Sequence, residues 1–118
     1  MNDRQLVSRL IILVITGQMV VRQALQNFPK NTTDKSIIAA YHALIHYEAD
    51  EDLRHSDAMY KEEQDEYLQL IAETLSKNRT LPINIIKSYS NYYSDVALPK
   101  NKNVKNLLKQ ICTFLNIK

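Results

Sequence analysis

Glycine occurs once in this 118-residue chain, at Gly17, and that scarcity narrows the fold more than any other feature. β-Hairpins draw on glycine where φ is positive, so helices joined by short polar loops are expected instead of a sheet. The same count excludes the glycine-rich loops that cradle phosphates. Only three prolines are present, Pro29, Pro82 and Pro99, and each falls where a helical pattern breaks. The single cysteine, Cys112, excludes an internal disulfide and a multi-cysteine metal site, and it suits a reducing compartment. No secretory signal pattern is found, which gives the expectation of a cytoplasmic location. Long apolar runs are lacking too. The longest, from Leu10 to Val21, is flanked by Arg9 and Arg22 and interrupted by Thr16, Gly17 and Gln18. It falls well short of the roughly twenty residues that span a bilayer, so it reads as a core helix.

With 45% hydrophobic and 24% charged residues the composition is globular, and the length suits one domain, 1–118, with one modest core. Periodicity and caps divide the chain into five helical segments. The first runs from about Arg4 to Gln26, with Leu6, Leu10, Leu13, Gly17, Val20 and Ala24 on one stripe. Ile11, Ile12, Val14 and Ile15 make it apolar nearly all round, so it is expected to be central or capped by a second apolar surface, either within the chain or at a homodimer interface. The second starts near Thr33 or Asp34 and presents Ile37, Ile38, Tyr41, Leu44 and Ile45. The third starts near Ser56 or Asp57 and carries Tyr60, Tyr67, Leu68, Ile71 and Leu75. Thr80 and Pro82 open the fourth, with Ile85, Ile86, Tyr89, Tyr93 and Val96 on its face, and Pro99 stops it. Asn101 or Asn103 caps the last, where Val104, Leu107, Leu108, Ile111 and Leu115 recur at spacings of three and four. Stripes of this kind must pack together, which gives an all-α fold: an antiparallel helical bundle of four to five helices.

Charge is segregated along the chain. Residues 1–35 carry a net +3, residues 36–76 a net −8 and residues 77–118 a net +7. Either the acidic third helix and basic last helix attract each other, or the basic end faces an acidic partner. His42, His46 and Asp50 share one side of the second helix at the spacing a metal site would use. That side lies opposite Tyr41, Leu44 and Ile45, so it reads as a solvated polar face and no metal or other cofactor is expected. Glu62, Glu63, Asp65 and Glu66 are sequence neighbours on one helix rather than carboxylates opposed across a cleft. His55 and Asp57 lack a nucleophile, and Ser56 suits a helix cap, so no enzyme is expected. Lys87, Lys100, Lys102, Lys105 and Lys109 interleave with Tyr89, Tyr92 and Tyr93, a pattern that also occurs in nucleic-acid binders. Tyr89 and Tyr93 belong to the apolar stripe, however, and the only nearby arginine is Arg79, which makes a protein partner the better reading.

From Asp57 onward the chain resembles the small immunity proteins that protect Gram-positive bacteria against class II (pediocin-like) bacteriocins. The residues that carry the likeness begin with a helix ending Leu70-Ile-Ala-Glu-Thr-Leu-Ser-Lys-Asn78, followed by Thr80-Leu-Pro-Ile-Asn-Ile-Ile-Lys87. The stretch from Tyr89 to Val96, a short polar break and Val104-Lys-Asn-Leu-Leu-Lys-Gln-Ile111 complete it. The resemblance implies a cytosolic antiparallel bundle that acts without catalysis on a membrane receptor, reached from inside, with its C-terminal half setting specificity. Carried onto this chain, it makes Tyr92, Lys100, Lys102, Lys105 and Lys109 the candidate partner-binding residues.

Overall fold

Asn2 opens the first helix with a capping box. Its side-chain oxygen accepts the Gln5 N–H at 2.9 Å, while the Gln5 side chain accepts the Asn2 N–H at 3.2 Å. In the computed structural model, which describes residues 1–93, this helix is α1 (Asp3–Ile15). The expected continuation to Gln26 does not occur, and Gly17 is the reason. It takes φ +77°, and the Gln18 and Gly17 N–H groups donate to the Leu13 and Val14 carbonyls at 2.9 and 3.1 Å. That pair of bonds is a Schellman motif, which closes a helix and leaves a short separate α2 (Val21–Gln26).

Asp34 caps α3 (Lys35–Ala49) by accepting the Ser36 N–H at 2.9 Å, at the start read from sequence. A break at Asp50 sets off a short α4 (Glu51–Ser56) that periodicity did not reveal. Asp57 then caps α5 (Ala58–Ser76) through the Met59 and Tyr60 N–H groups, while Ser56 Oγ donates to the Leu53 carbonyl instead of capping. Asn78 repeats the Schellman geometry at the end of α5. It takes φ +57°, and the Arg79 and Asn78 N–H groups donate to the Thr74 and Leu75 carbonyls. The last described helix, α6 (Ile83–Tyr93), begins directly after Pro82, as expected.

The described residues thus form six helices and no strand, and none of the helices is long and apolar enough to cross a membrane. The central element is α3 and not α1. It touches α1, α2, α4, α5 and α6, and ten of its residues are buried. The core face of α1 is Val7, Leu10, Ile11 and Val14, one step round from the stripe expected from the sequence; Leu13 is half-buried and Val20 is exposed. Among the described residues α5, α2 and α3 pack on α1, and Ile12 is the large apolar residue that α1 leaves exposed.

Three polar contacts tie these helices in register. Ser8 Oγ, buried, donates to the Ala72 carbonyl at 2.6 Å and joins α1 to α5. The Leu81 N–H donates to Ser36 Oγ at 3.0 Å and joins the start of α6 to α3. Arg4 pairs with Asp34 at 2.8 Å and also donates to the Asn78 carbonyl and Thr80 Oγ1. Burial pushes the Asp34 carboxyl up, but Arg4 and the Ser36 N–H outweigh it and hold the group below its usual range.

Candidate functional site

Most polar side chains along the middle of α3 are inside. His42 is fully buried, His46 is 7% exposed and Asp50 is 2% exposed, which corrects the expected solvated face. The expectation assumed that α3 has one apolar side and one wet side. Five neighbours pack on α3 and leave its middle little wet surface, so the polar residues there must be satisfied within the protein.

Asp50 is the centre of that satisfaction. His46 Nε2 lies 2.9 Å from its Oδ2, and Gln64 Nε2 donates to the same oxygen at 3.1 Å. The Tyr60 hydroxyl donates to it as well. A second set of contacts turns on Arg54, whose guanidinium carbon sits 3.5 Å from the centre of the Tyr47 ring. Its Nη1 donates to Gln64 Oε1 at 3.0 Å and to the Tyr47 carbonyl. The Tyr47 hydroxyl reaches α5 by donating to Asp65 Oδ1 at 2.8 Å, and Lys61 pairs with the other oxygen of Asp65 at 2.7 Å. Burial, followed by the bond to Asp65, pushes the Tyr47 hydroxyl up to about 12. Gln64 therefore bridges a buried carboxylate and a guanidinium, and α3, α4 and α5 meet around it.

His42 sits one turn before His46 in a different setting. The Tyr41 and Tyr89 rings lie 5.5 and 6.0 Å from it, the first edge-on. Burial alone drives its imidazole down to about 3, so it is neutral at ordinary pH. The Tyr67 and Tyr89 hydroxyls are hydrogen-bonded at 3.2 Å nearby, and burial raises Tyr67. Among the described residues no three His, Cys, Asp or Glu side chains converge as a metal site requires. An open cavity of about 170 Å³ lies beside this region, bordered by His46, Tyr47, Tyr60, Glu63, Gln64 and Tyr67. Its polar groups belong to the contacts above, apart from Glu63 and Ser88, whose hydroxyl donates to the Asn84 carbonyl.

The outward face of α5 has the opposite character. Met59, Glu62, Glu63, Glu66, Leu70 and Glu73 are all exposed, and their spacing places them on one stripe. Asp65, bound to Lys61, is the only acidic residue of α5 ion-paired among the described residues. Of the carboxylates read as surface neighbours from sequence, Glu62, Glu63 and Glu66 are exposed, while Asp65 is half-buried against Tyr47. On α4, His55 and Glu51 are 3.8 Å apart and both exposed. Tyr89, one of the interleaved tyrosines, is buried. The side chain of Tyr92, together with Lys100, Lys102, Lys105 and Lys109, lies outside the described residues.

Sequence reading noticed His42, His46 and Asp50 but missed Tyr47, Arg54, Tyr60 and Gln64 as their companions. A usable signal exists: Asp50, Arg54 and Tyr47 fall at intervals of four and three, and Tyr60 and Gln64 are one turn apart on the next long helix. Comparisons with protein-family models, with curated proteins and with solved structures found no match to the chain.

Proposed function

We propose that this chain is a non-catalytic helical interaction protein of the bacteriocin-immunity type, binding a protein partner through its basic C-terminal end. The observation that carries this reading is the separation of charge. The glutamate stripe of α5 stands in solvent. Residues 77–118 carry a net +7, the sign that suits an acidic partner. The order of elements in the resemblance adds support. A long amphipathic α5 ends in a polar turn at Asn78, and α6 starts directly after Pro82. The polar groups around Asp50 engage one another, which suits a structural role better than a catalytic one. The proposed contact residues are Tyr92, Lys100, Lys102, Lys105 and Lys109, and the proposed setting is the cytoplasm.

The test is protection. Expression in a sensitive Gram-positive strain should protect against one member of a panel of class II peptides. Changing Lys105 and Lys109 to glutamate should abolish protection while the helical circular dichroism signal is retained. Salt-dependent retention of DNA or RNA through the same two lysines, with no protection across the panel, would replace this reading with a nucleic-acid one.

A further inference from the structure

The cavity beside the Asp50 network is built by helical spacing. Tyr60, Glu63, Gln64 and Tyr67 recur at intervals of three and four on α5, and His46 and Tyr47 border the cavity from α3. Three of these side chains are tyrosines, and each commits its hydroxyl to the protein. Tyr47 donates to Asp65 at 2.8 Å, Tyr60 donates to Asp50, and Tyr67 shares a 3.2 Å hydrogen bond with Tyr89. Gln64 is engaged at both ends of its amide, by Asp50 and by Arg54. What the tyrosines chiefly offer a guest is therefore ring carbon. Glu63, exposed, adds a carboxylate, and no lysine or arginine borders the cavity among the described residues. We propose that this cavity binds a small quaternary ammonium compound.

Size, charge and hydrogen bonding select this guest. The volume of about 170 Å³ is close to the roughly 150 Å³ that accepts a benzene-sized molecule. It falls short of the roughly 300 Å³ at which pockets for larger ligands begin. Charge favours a cation. Residues 36–76 supply every described lining residue except Ser88 and carry a net −8. Aromatic rings add the attraction of their negative faces. The protein already uses that attraction at this wall, where the Arg54 guanidinium carbon lies 3.5 Å from the centre of the Tyr47 ring. Arg54 itself does not border the cavity. Hydrogen bonding favours alkylation. A primary ammonium brings three N–H donors, and the committed hydroxyls and amide match them poorly. A quaternary ammonium brings none, so ring carbon and the carboxylate of Glu63 meet its needs.

Choline chloride is the probe, titrated into the full chain at constant ionic strength and followed on the backbone amide resonances of Tyr60, Glu63, Gln64 and Tyr67. Saturable shifts centred on these residues are expected, with a dissociation constant of about 1–10 mM. Dimethylbutanol, which puts carbon in place of the ammonium nitrogen of choline, should bind about tenfold more weakly, because it keeps the shape and loses the charge. Glu63→Gln, at an exposed position, should weaken choline about two- to fivefold. Tyr67→Leu should weaken it about fivefold or more, while Tyr67→Phe keeps the ring and should retain binding. Shifts that do not saturate would overturn the proposal. So would equal binding of dimethylbutanol, which would mark the cavity as an apolar crevice only, or choline affinity unchanged in both Glu63→Gln and Tyr67→Leu. Should Tyr67→Leu fail to fold, dimethylbutanol and Glu63→Gln decide the matter. The readout needs no bacteriocin, so it stands or falls separately from the protection assay.

Discussion

The two longest helices, α3 and α5, treat their polar residues in opposite ways. α5 carries an apolar side of Leu68, Ile71, Ala72 and Leu75 against the core and a glutamate stripe in water. α3 lacks so clean a division, because five neighbours pack on it and His42, His46 and Tyr47 are buried along with most of its aliphatic residues. The comparison shows where amphipathic reasoning stops. It works for a helix at the edge of a bundle, whose polar residues have water to face. In a central helix a polar residue marks a place where a partner has been built, as Asp50 shows with Tyr60, Gln64 and His46.

The largest effect that tests this contrast comes from equal truncations on the two helices. Leu44 on α3 is fully buried, so Leu44→Ala should cost about 2–5 kcal/mol. Leu70 on the outer face of α5 is 48% exposed, and Leu70→Ala should stay within about 0.5 kcal/mol. Urea unfolding of both variants measures the difference. Comparable losses would show that the outer face of α5 is covered and that the contrast is wrong.

A smaller, pH-dependent effect should come from His42. Its folded pKa of about 3 lies below the ordinary value of 6.5, so the unfolded chain takes up a proton that the folded chain refuses. The stability held by neutral His42 is complete above pH 6.5 and is lost as pH falls towards 3, at about 1.4 kcal/mol per pH unit. At pH 5 the loss is about 2 kcal/mol. Carboxylates titrate in the same range, so the measurement is the difference between the native chain and His42→Leu. The native chain should lose stability faster on acidification from pH 7 to 5. Parallel curves would mean that His42 is open to solvent in the folded state, as a two-sided α3 would have it.

The same contrast accounts for what could be read in advance. Asp34, Asp57 and Pro82 signal helix starts through local chemistry, and all three starts fall where that chemistry puts them. Gly17 was visible as well, but a lone glycine inside an apolar run is compatible with a continuous helix until its φ of +77° is known. The core face of α1 was misplaced because Leu10–Ile15 is apolar on every side, so periodicity carries little directional information there. The network around Asp50 was hidden for a different reason. It joins α3, α4 and α5 across gaps of up to 18 residues, and no local pattern encodes which helix becomes central. The glutamate stripe of α5, by contrast, was legible as surface from spacing alone.

That stripe gives the smallest effect and the sharpest check on α5. Glu66 follows Glu62 by four residues and Glu63 by three, so two like-charged neighbours face it on the helix surface. Glu66→Lys turns both repulsions into attractions, with glutamate N-terminal to lysine, the better orientation. Each pair should contribute about 0.2–0.5 kcal/mol, so the variant should be slightly more stable than the native chain at low salt. The gain should fade towards 1 M salt, where screening shortens the reach of exposed charges to about 3 Å. Thermal unfolding at both ionic strengths measures it. A stabilisation that ignores salt would mean the change acts through packing. A destabilisation would mean that Glu66 already holds a cation, and the acidic face of α5 would then be spoken for within the molecule.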